Sequence, residues 1–338
     1  MNITYFLGNG FDIGLGLETS YKQFYDYYND KMRDKNDLIY NELKKDQDNN
    51  YENWSDLEVA LGRLLQYVSD SDVERFIDAK INMDNLLEEY LMREEDKFTM
   101  TDGDNVQFLQ KIINDLPNCY SEQDRTIING ILRPNAIRTN IYNVITLNYT
   151  NSIDKIFKSC KQNIICKKKI GINDCVDKTG SVLHLHGELG HQNLLVGVND
   201  ETQIIHEKHR NNQQIKLLMI KPYLNEMLGL NKISKAKKII DGSNIICMYG
   251  VSIGQTDKMW WEYIIKWLNT SNQNILIIYN YDKEFKGNHA YKNIVYNAKK
   301  REEFLAVVDL NEDVVKRLSK QIIIKNNQNI CELAKKIN

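Results

Sequence analysis

Proline is nearly absent: three residues among 338. Pro117, Pro134 and Pro222 mark loops, and no Pro-rich or Gly/Ser-rich stretch divides the chain into separately linked domains. No apolar run approaches the roughly 20 residues that cross a bilayer, and no basic segment with a long apolar stretch behind it opens the sequence. A cytoplasmic protein with no membrane partner is therefore expected. Excess charge is missing too. The net charge of −2 gives no global attraction to nucleic acid or to anionic lipid, so nucleic acid is not an expected partner. Paired cysteines are lacking as well. Cys119, Cys160, Cys166, Cys175, Cys247 and Cys331 include no CxxC, which fits reduced thiols rather than a disulfide framework, and the 160–175 spacing suits no common zinc module.

What is present is a core-forming composition, 42% hydrophobic, arranged in short apolar runs. ITYFL (3–7), YNVITL (142–147), SVLHL (181–185), LLVGV (194–198), NIICMYG (244–250), ILIIY (275–279) and FLAVVDL (304–310) mostly lack polar alternation. They read as strands covered on both faces, the pattern of a mostly parallel sheet in an α/β fold. Tyr21, Phe24, Tyr25 and Tyr28 share one helical face behind a cap at Thr19 or Ser20. From about residue 31 to 138 the periodicity is helical throughout, as at Leu57, Leu61, Leu64, Leu65 and Val68, and Ser55-Asp-Leu-Glu58 has the form of a capping box. The order predicts a core of 1–30 and 139–338 with a helical insertion over 31–138. After Asn311 the pattern predicts a helix, a short QIIIK strand and a last amphipathic helix.

Four stretches carry groups suited to chemistry. Gly8-Asn9-Gly10 follows a strand and precedes a helix, so its backbone N–H groups either face an anion or form a plain tight turn; neither the dinucleotide nor the P-loop spacing is met. Asn148, Tyr149 and Thr150 stand at the carboxyl end of a strand, the edge where parallel sheets bind ligands, or else cap the next helix. His184 and His186 alternate on a strand, with Glu188 in the same parity if Gly187 does not bend the chain. That pattern fits a metal cluster, or one general-base histidine beside a structural one. Gly250, Ser252 and Gly254 precede Asp257 and a helix whose stripe of Trp260, Trp261, Ile264, Ile265 and Leu268 reads as core.

In order, G-N-G-F-D, G-L-x-T-S-Y-x-x-F, W-S-D-L-E, T-L-N-Y-T-N, H-x-H-G, L-V-G-V-N-D and Y-G-V-S-I-G-x-x-D resemble the abortive-infection AbiH family of phage-defence proteins. The resemblance runs from Leu7 to about Trp267. The same landmarks are similar, more distantly, to the NAD-binding core of sirtuins, which implies a Rossmann-like sheet. Under that resemblance Gly8, Asn9 and Gly10 hold the pyrophosphate of NAD, Tyr21 stands near the reacting sugar, and Gly250 with Ser252 forms the ribose and adenosine-side turn. Asn148 positions ribose and water, and His186 is the catalytic base for cleaving the nicotinamide N-glycosidic bond.

The match has gaps. The sirtuin Gln is Leu147 here, the nicotinamide-gripping Asp is Thr150, and the four-cysteine zinc module of protein deacetylases is missing, so deacetylation is not expected. Asp12 and Glu58 have no sirtuin counterpart; a hydrogen bond across the turn and the completion of a helix cap are their structural readings. Three functions stay open: an NAD-consuming effector, a metal-dependent nucleotide or nucleic-acid hydrolase using His184, His186, Glu188 and Asp200, and a non-catalytic nucleotide sensor. By analogy the chain assembles as a homo-oligomer and answers a phage-derived trigger.

Overall fold

The computed structural model describes residues 1–33, 35–45, 54–119, 121–135, 138–170, 172–191, 194–254, 257–287 and 289–332. Seven strands form one sheet: β1 (Asn2–Leu7), β2 (Asn140–Thr146), β3 (Ile164–Ile170), β4 (Asn173–His184), β5 (Ile245–Tyr249), β6 (Ile275–Asn280) and β7 (Ile322–Asn326). The order is β3-β4-β2-β1-β5-β6-β7. Every neighbouring pair is parallel except the antiparallel β3–β4 hairpin. The chain grows outward from β1 on the β2 side and then returns to continue on the β5 side. That reversal makes the carboxyl ends of β1, β2 and β5 a topological switch point, where open α/β sheets hold ligands.

Among the described residues fifteen α-helices accompany the sheet. From the first half come α1 (Gly10–Leu15), α2 (Tyr21–Met32), α3 (Leu38–Lys45), α4 (Trp54–Leu64), α5 (Val73–Glu95), α6 (Asp102–Asp115), α7 (Glu122–Asn135) and α8 (Ser152–Lys158). Then follow α9 (Glu207–Arg210), α10 (Gln213–Met219), α11 (Lys221–Met227), α12 (Lys232–Asp241), α13 (Lys258–Leu268), α14 (Ala290–Leu305) and α15 (Glu312–Leu318).

Strand parity assigns the core. Ile3, Tyr5 and Leu7 point to one face with Tyr142, Val144, Ile245, Cys247, Ile275 and Ile277, where Phe108, Leu109, Ile112 and Ile113 of α6 and Ile128 of α7 cover them. Phe6, Ile145, Ile246, Met248, Leu276 and Ile278 point to the other, under Ala236, Ile240, Trp261, Ile264, Leu268 and Phe304. Burial on both faces removes the polar alternation that a half-exposed strand needs. A third core joins α2–α5 to Tyr149, Leu189 and the 194–220 stretch. The helices of 31–138 thus serve two cores: α6 and α7 lie on the sheet, whereas α3–α5 pack with α2.

Two expected strands are not strands. Leu194–Val198 is apolar because Val196 and Val198 enter the helical core; among the described residues its only ladder contact is an isolated parallel bridge from Val198 to Ile220. Phe304–Leu310 begins as the last turn of α14, the part of that helix that is buried. Conversely β3, Ile-Ile-Cys-Lys-Lys-Lys-Ile, went unread because its lysines mark it as a charged sheet edge. The α2 cap is Ser20, which with Gln23 forms a capping box. Helix α4 begins at Trp54, so Ser55 lies inside it rather than at its cap, and the Ser55 side chain falls outside the described set. The expected last helix falls at 333–338, also outside the described residues.

Candidate functional site

Loops after β1, β2, β4 and β5 meet at the carboxyl edge of the sheet. The first and last of these are locked backbone to backbone: Gly8 N–H donates to Tyr249 O at 3.0 Å and Gly10 N–H to Gly250 O at 2.9 Å. A Cβ on Gly10 would lie 2.6 Å from Gly250 Cα, and one on Gly250, whose φ is +67°, would lie 2.6 Å from Phe11 N. These glycines are required by the close approach of two loops. Asn9 is committed as well, donating to Thr19 O at 2.9 Å and accepting from the Thr19 hydroxyl at 2.6 Å. Ser252 is exposed, and Tyr21 is buried in the helical core beside Tyr25, with ring centroids 6.1 Å apart.

One buried cluster centres on Asp12. The Thr150 hydroxyl donates to Asp12 Oδ2 at 2.6 Å, and Ser152 stands 3.4 Å behind Thr150. Burial pushes the Asp12 carboxyl up to about 7, against hydrogen bonding from Thr150 and Asn148 that favours the charged form. Asp12 reaches across to the β2 end instead of bonding within its own turn. At the same end His184 Nδ1–H donates to Asn148 O at 2.9 Å, while Nε2 lies 2.7 Å from Asp154 Oδ2. Both ring nitrogens face acceptors. Burial opposes protonation, but the Asp154 carboxylate outweighs it and raises the His184 pKa; the ring ties the end of β4 to the loop after β2.

The second cluster centres on His186. Its Nε2 lies 3.2 Å from Asp257 Oδ1 and 3.4 Å from Lys221 Nζ. Lys221 in turn meets Glu58 Oε1 at 2.6 Å, and Asn199 donates to Asp257 Oδ1 at 2.9 Å. Burial works against ionisation of Asp257, yet the Lys221 ammonium, the His186 ring and the Asn199 amide hold its carboxyl well below the usual range. Burial raises the Glu58 carboxyl, with Lys221 pulling the other way. An ionised Asp257 fixes the Nε2–H tautomer and leaves Nδ1, which makes no hydrogen bond among the described residues, as a basic nitrogen. Tyr149 stands between the clusters, its ring centroid 6.3 Å from that of His186.

The structure thus gathers His186, Asn148, Asp12, Thr150, Asp257, Gly8, Asn9, Gly10 and Gly250 at one sheet edge. It leaves Ser252 at the surface and Tyr21 in the helical core. His184, His186 and Glu188 do not converge. Gly187, at φ +97°, breaks the strand parity, Glu188 faces His191 at 3.5 Å, and no group of three possible metal ligands occurs among the described residues. Asp200 caps its own turn through Thr202. Glu58, read as completing a cap, is instead an ion-pair partner in the site.

Lys221 and Asn199 were missed as site residues. Val198 N–H donates to Met219 O at 2.7 Å and Lys221 N–H to Val198 O at 2.9 Å, a two-bond ladder that sets Asn199 and Lys221 side by side. For Asn199 the sequence signal was its place in L-V-G-V-N-D, and for Lys221 a lone lysine between Met219-Ile220 and Pro222. A surface depression of about 840 Å³, lined by Gln66, Tyr67, Ile205, His206, Lys208 and Asn211, contains none of these groups.

A family model described as bacteriophage abortive infection AbiH matches residues 4–279. No curated protein matches the chain. No helix among the described residues is long and apolar enough to cross a membrane.

Proposed function

The chain belongs to the AbiH family of bacteriophage abortive infection, and from that premise we propose that it is a phage-defence protein that hydrolyses a nucleotide at the carboxyl edge of its sheet, the nicotinamide N-glycosidic bond of NAD being the reaction its residues fit best. The observation that carries this reading is the partly buried Asp257–His186 pair, 3.2 Å apart, on the loops after β5 and β4 at the same sheet edge as Asn148 at the end of β2. In the reaction the C1′–N bond breaks with its electron pair leaving on nicotinamide, which departs neutral. Water adds to the oxocarbenium-like sugar, and His186 Nδ1 takes the proton of that water while Asp257 steadies the ring through Nε2–H. The products are nicotinamide, ADP-ribose and a proton. Asn148 orients the sugar or the water.

Nicotinamide release from NAD by purified protein, followed together with protection of phage-challenged cells, tests the proposal. His186→Ala is expected to lower release about 10²–10⁴-fold and to abolish protection. Absence of release under protective conditions, with His186→Ala still protecting cells, overturns it. Protection that needs His186 while no nucleotide is consumed would identify a sensor instead.

A further inference from the structure

The turn between β1 and α1 is where a sheet of this topology offers N–H groups to phosphate. Here four of those groups are occupied. Gly8 N–H and Gly10 N–H donate to Tyr249 O and Gly250 O, Phe11 N–H to Gly8 O at 2.9 Å, and Ile13 N–H to Asn9 O at 3.1 Å. The Asn9 amide goes to Thr19 O. What the turn offers instead is an acceptor. Asp12, 1% exposed, has Oδ1 buried with no hydrogen-bond partner among the described residues, and the same is true of Oδ1 of Asn148, whose N–H end favours the Asp12 carboxylate. The two residues meet around Thr150, whose single hydroxyl proton already goes to Asp12 Oδ2. Buried acceptors are rarely left unpaired, and two of them converging from different strands at a switch point call for a donor from outside the chain.

We infer that Asp12 and Asn148 form an acceptor subsite, and that the part of the nucleotide it takes is a neutral N–H or O–H donor, the carboxamide of nicotinamide or a ribose hydroxyl, and not a phosphate. The identity of the nucleotide rests on the function proposed above; the donor requirement rests on the two oxygens. An amide –NH₂ or a sugar diol supplies two protons to two acceptors. A phosphate oxygen is itself an acceptor and, above about pH 7 where Asp12 is ionised, carries the sign of its carboxylate, so it meets like charge with no proton to share.

Ligand-observed NMR titrations at about pH 8, where Asp12 is ionised, with nicotinamide, nicotinate, D-ribose and inorganic pyrophosphate, on the wild-type chain and on Asp12→Asn, test the subsite. In the variant the Asn amide turns its N–H toward Asn148 Oδ1 and closes the pair. Nicotinamide or ribose is expected to bind the wild type and to lose about tenfold or more in affinity in Asp12→Asn, with nicotinate and pyrophosphate failing to compete. A response to nicotinamide alone assigns the carboxamide, and one to ribose alone assigns the hydroxyls. Pyrophosphate that displaces the donor probe, or donor probes whose binding ignores Asp12→Asn, overturns the inference. A melting temperature of Asp12→Asn at or above that of the wild type excludes misfolding as the cause of lost binding. Failure of the reaction is distinguishable: Asp12-dependent binding of donors without NAD cleavage keeps the subsite and refutes the reaction, whereas cleavage by Asp12→Asn at wild-type KM keeps the reaction and refutes the subsite.

Discussion

Asp12 makes the stability of this protein depend on pH in the direction opposite to a salt-bridged carboxylate. The unfolded chain releases the Asp12 proton near the ordinary 3.8, whereas burial holds it in the folded chain up to about 7. Between those values the native state binds the extra proton, so this contribution is fully present below the lower value and is lost as pH rises to 7. At ~1.4 kcal/mol per unit the loss comes to about 4 kcal/mol as an upper bound. Asp12→Asn has no proton to lose. Urea unfolding at pH 4.5 and 7.5 is therefore expected to show the variant gaining about 3 kcal/mol on the wild type across that range. A gap independent of pH would mean that Asp12 is solvated in the native state. The residue was legible as an acid beside a glycine turn; its contact with Thr150 was not, because the two belong to different strands and only the parallel register of β1 with β2 joins them.

At the scale of elements, the glycine loops behave as joints. Gly250 combines a left-handed φ with a backbone contact to Phe11, so Gly250→Ala meets both a conformational penalty and a clash, and is expected to cost at least ~2 kcal/mol. Gly130, exposed within α7 and with nothing near its would-be Cβ, provides the contrast: Gly130→Ala is expected to stabilise by about 0.5–1 kcal/mol. Thermal unfolding of the two variants checks both signs, and equal effects would refute the joint. Elements buried on both faces, such as β5 and β6, were readable from unbroken apolar runs. The same signal misled at 194–198, since a run that enters a helical core is as apolar as one that enters a sheet, and only the ladder to Ile220 separates them. In β3 the opposite happened: Lys167, Lys168 and Lys169 hid a strand whose edge position tolerates charge.

Across the whole molecule, the helical layer of α2–α5 and the sheet edge are tied at the site by one buried ion pair, Glu58 of α4 with Lys221 at the start of α11. Packing reinforces the tie: a Cβ on Gly62 of α4 would lie 2.5 Å from Gln203 O, which holds α4 against the loop that carries Asn199. His186 and Asp257 were recognisable one by one, the first from its alternation with His184 and the second at a helix start behind a glycine-serine turn. Lys221 was not, because its role comes from tertiary contacts with α4 and His186 that no local pattern records. Removing one member of such a pair leaves an uncompensated charge in a dry environment, so Lys221→Ala is expected to lose about 3–5 kcal/mol. Replacing both members with apolar residues of similar volume, Glu58→Leu with Lys221→Met, removes the desolvation of both charges and is expected to recover most of that loss. Urea unfolding of the single and double variants measures the difference. A double variant no more stable than Lys221→Ala would show that Lys221 acts on stability through Asp257 and His186 rather than through Glu58, leaving packing and the Glu95 contacts of α5 with Asn151 and Lys155 to hold the helical layer to the sheet edge.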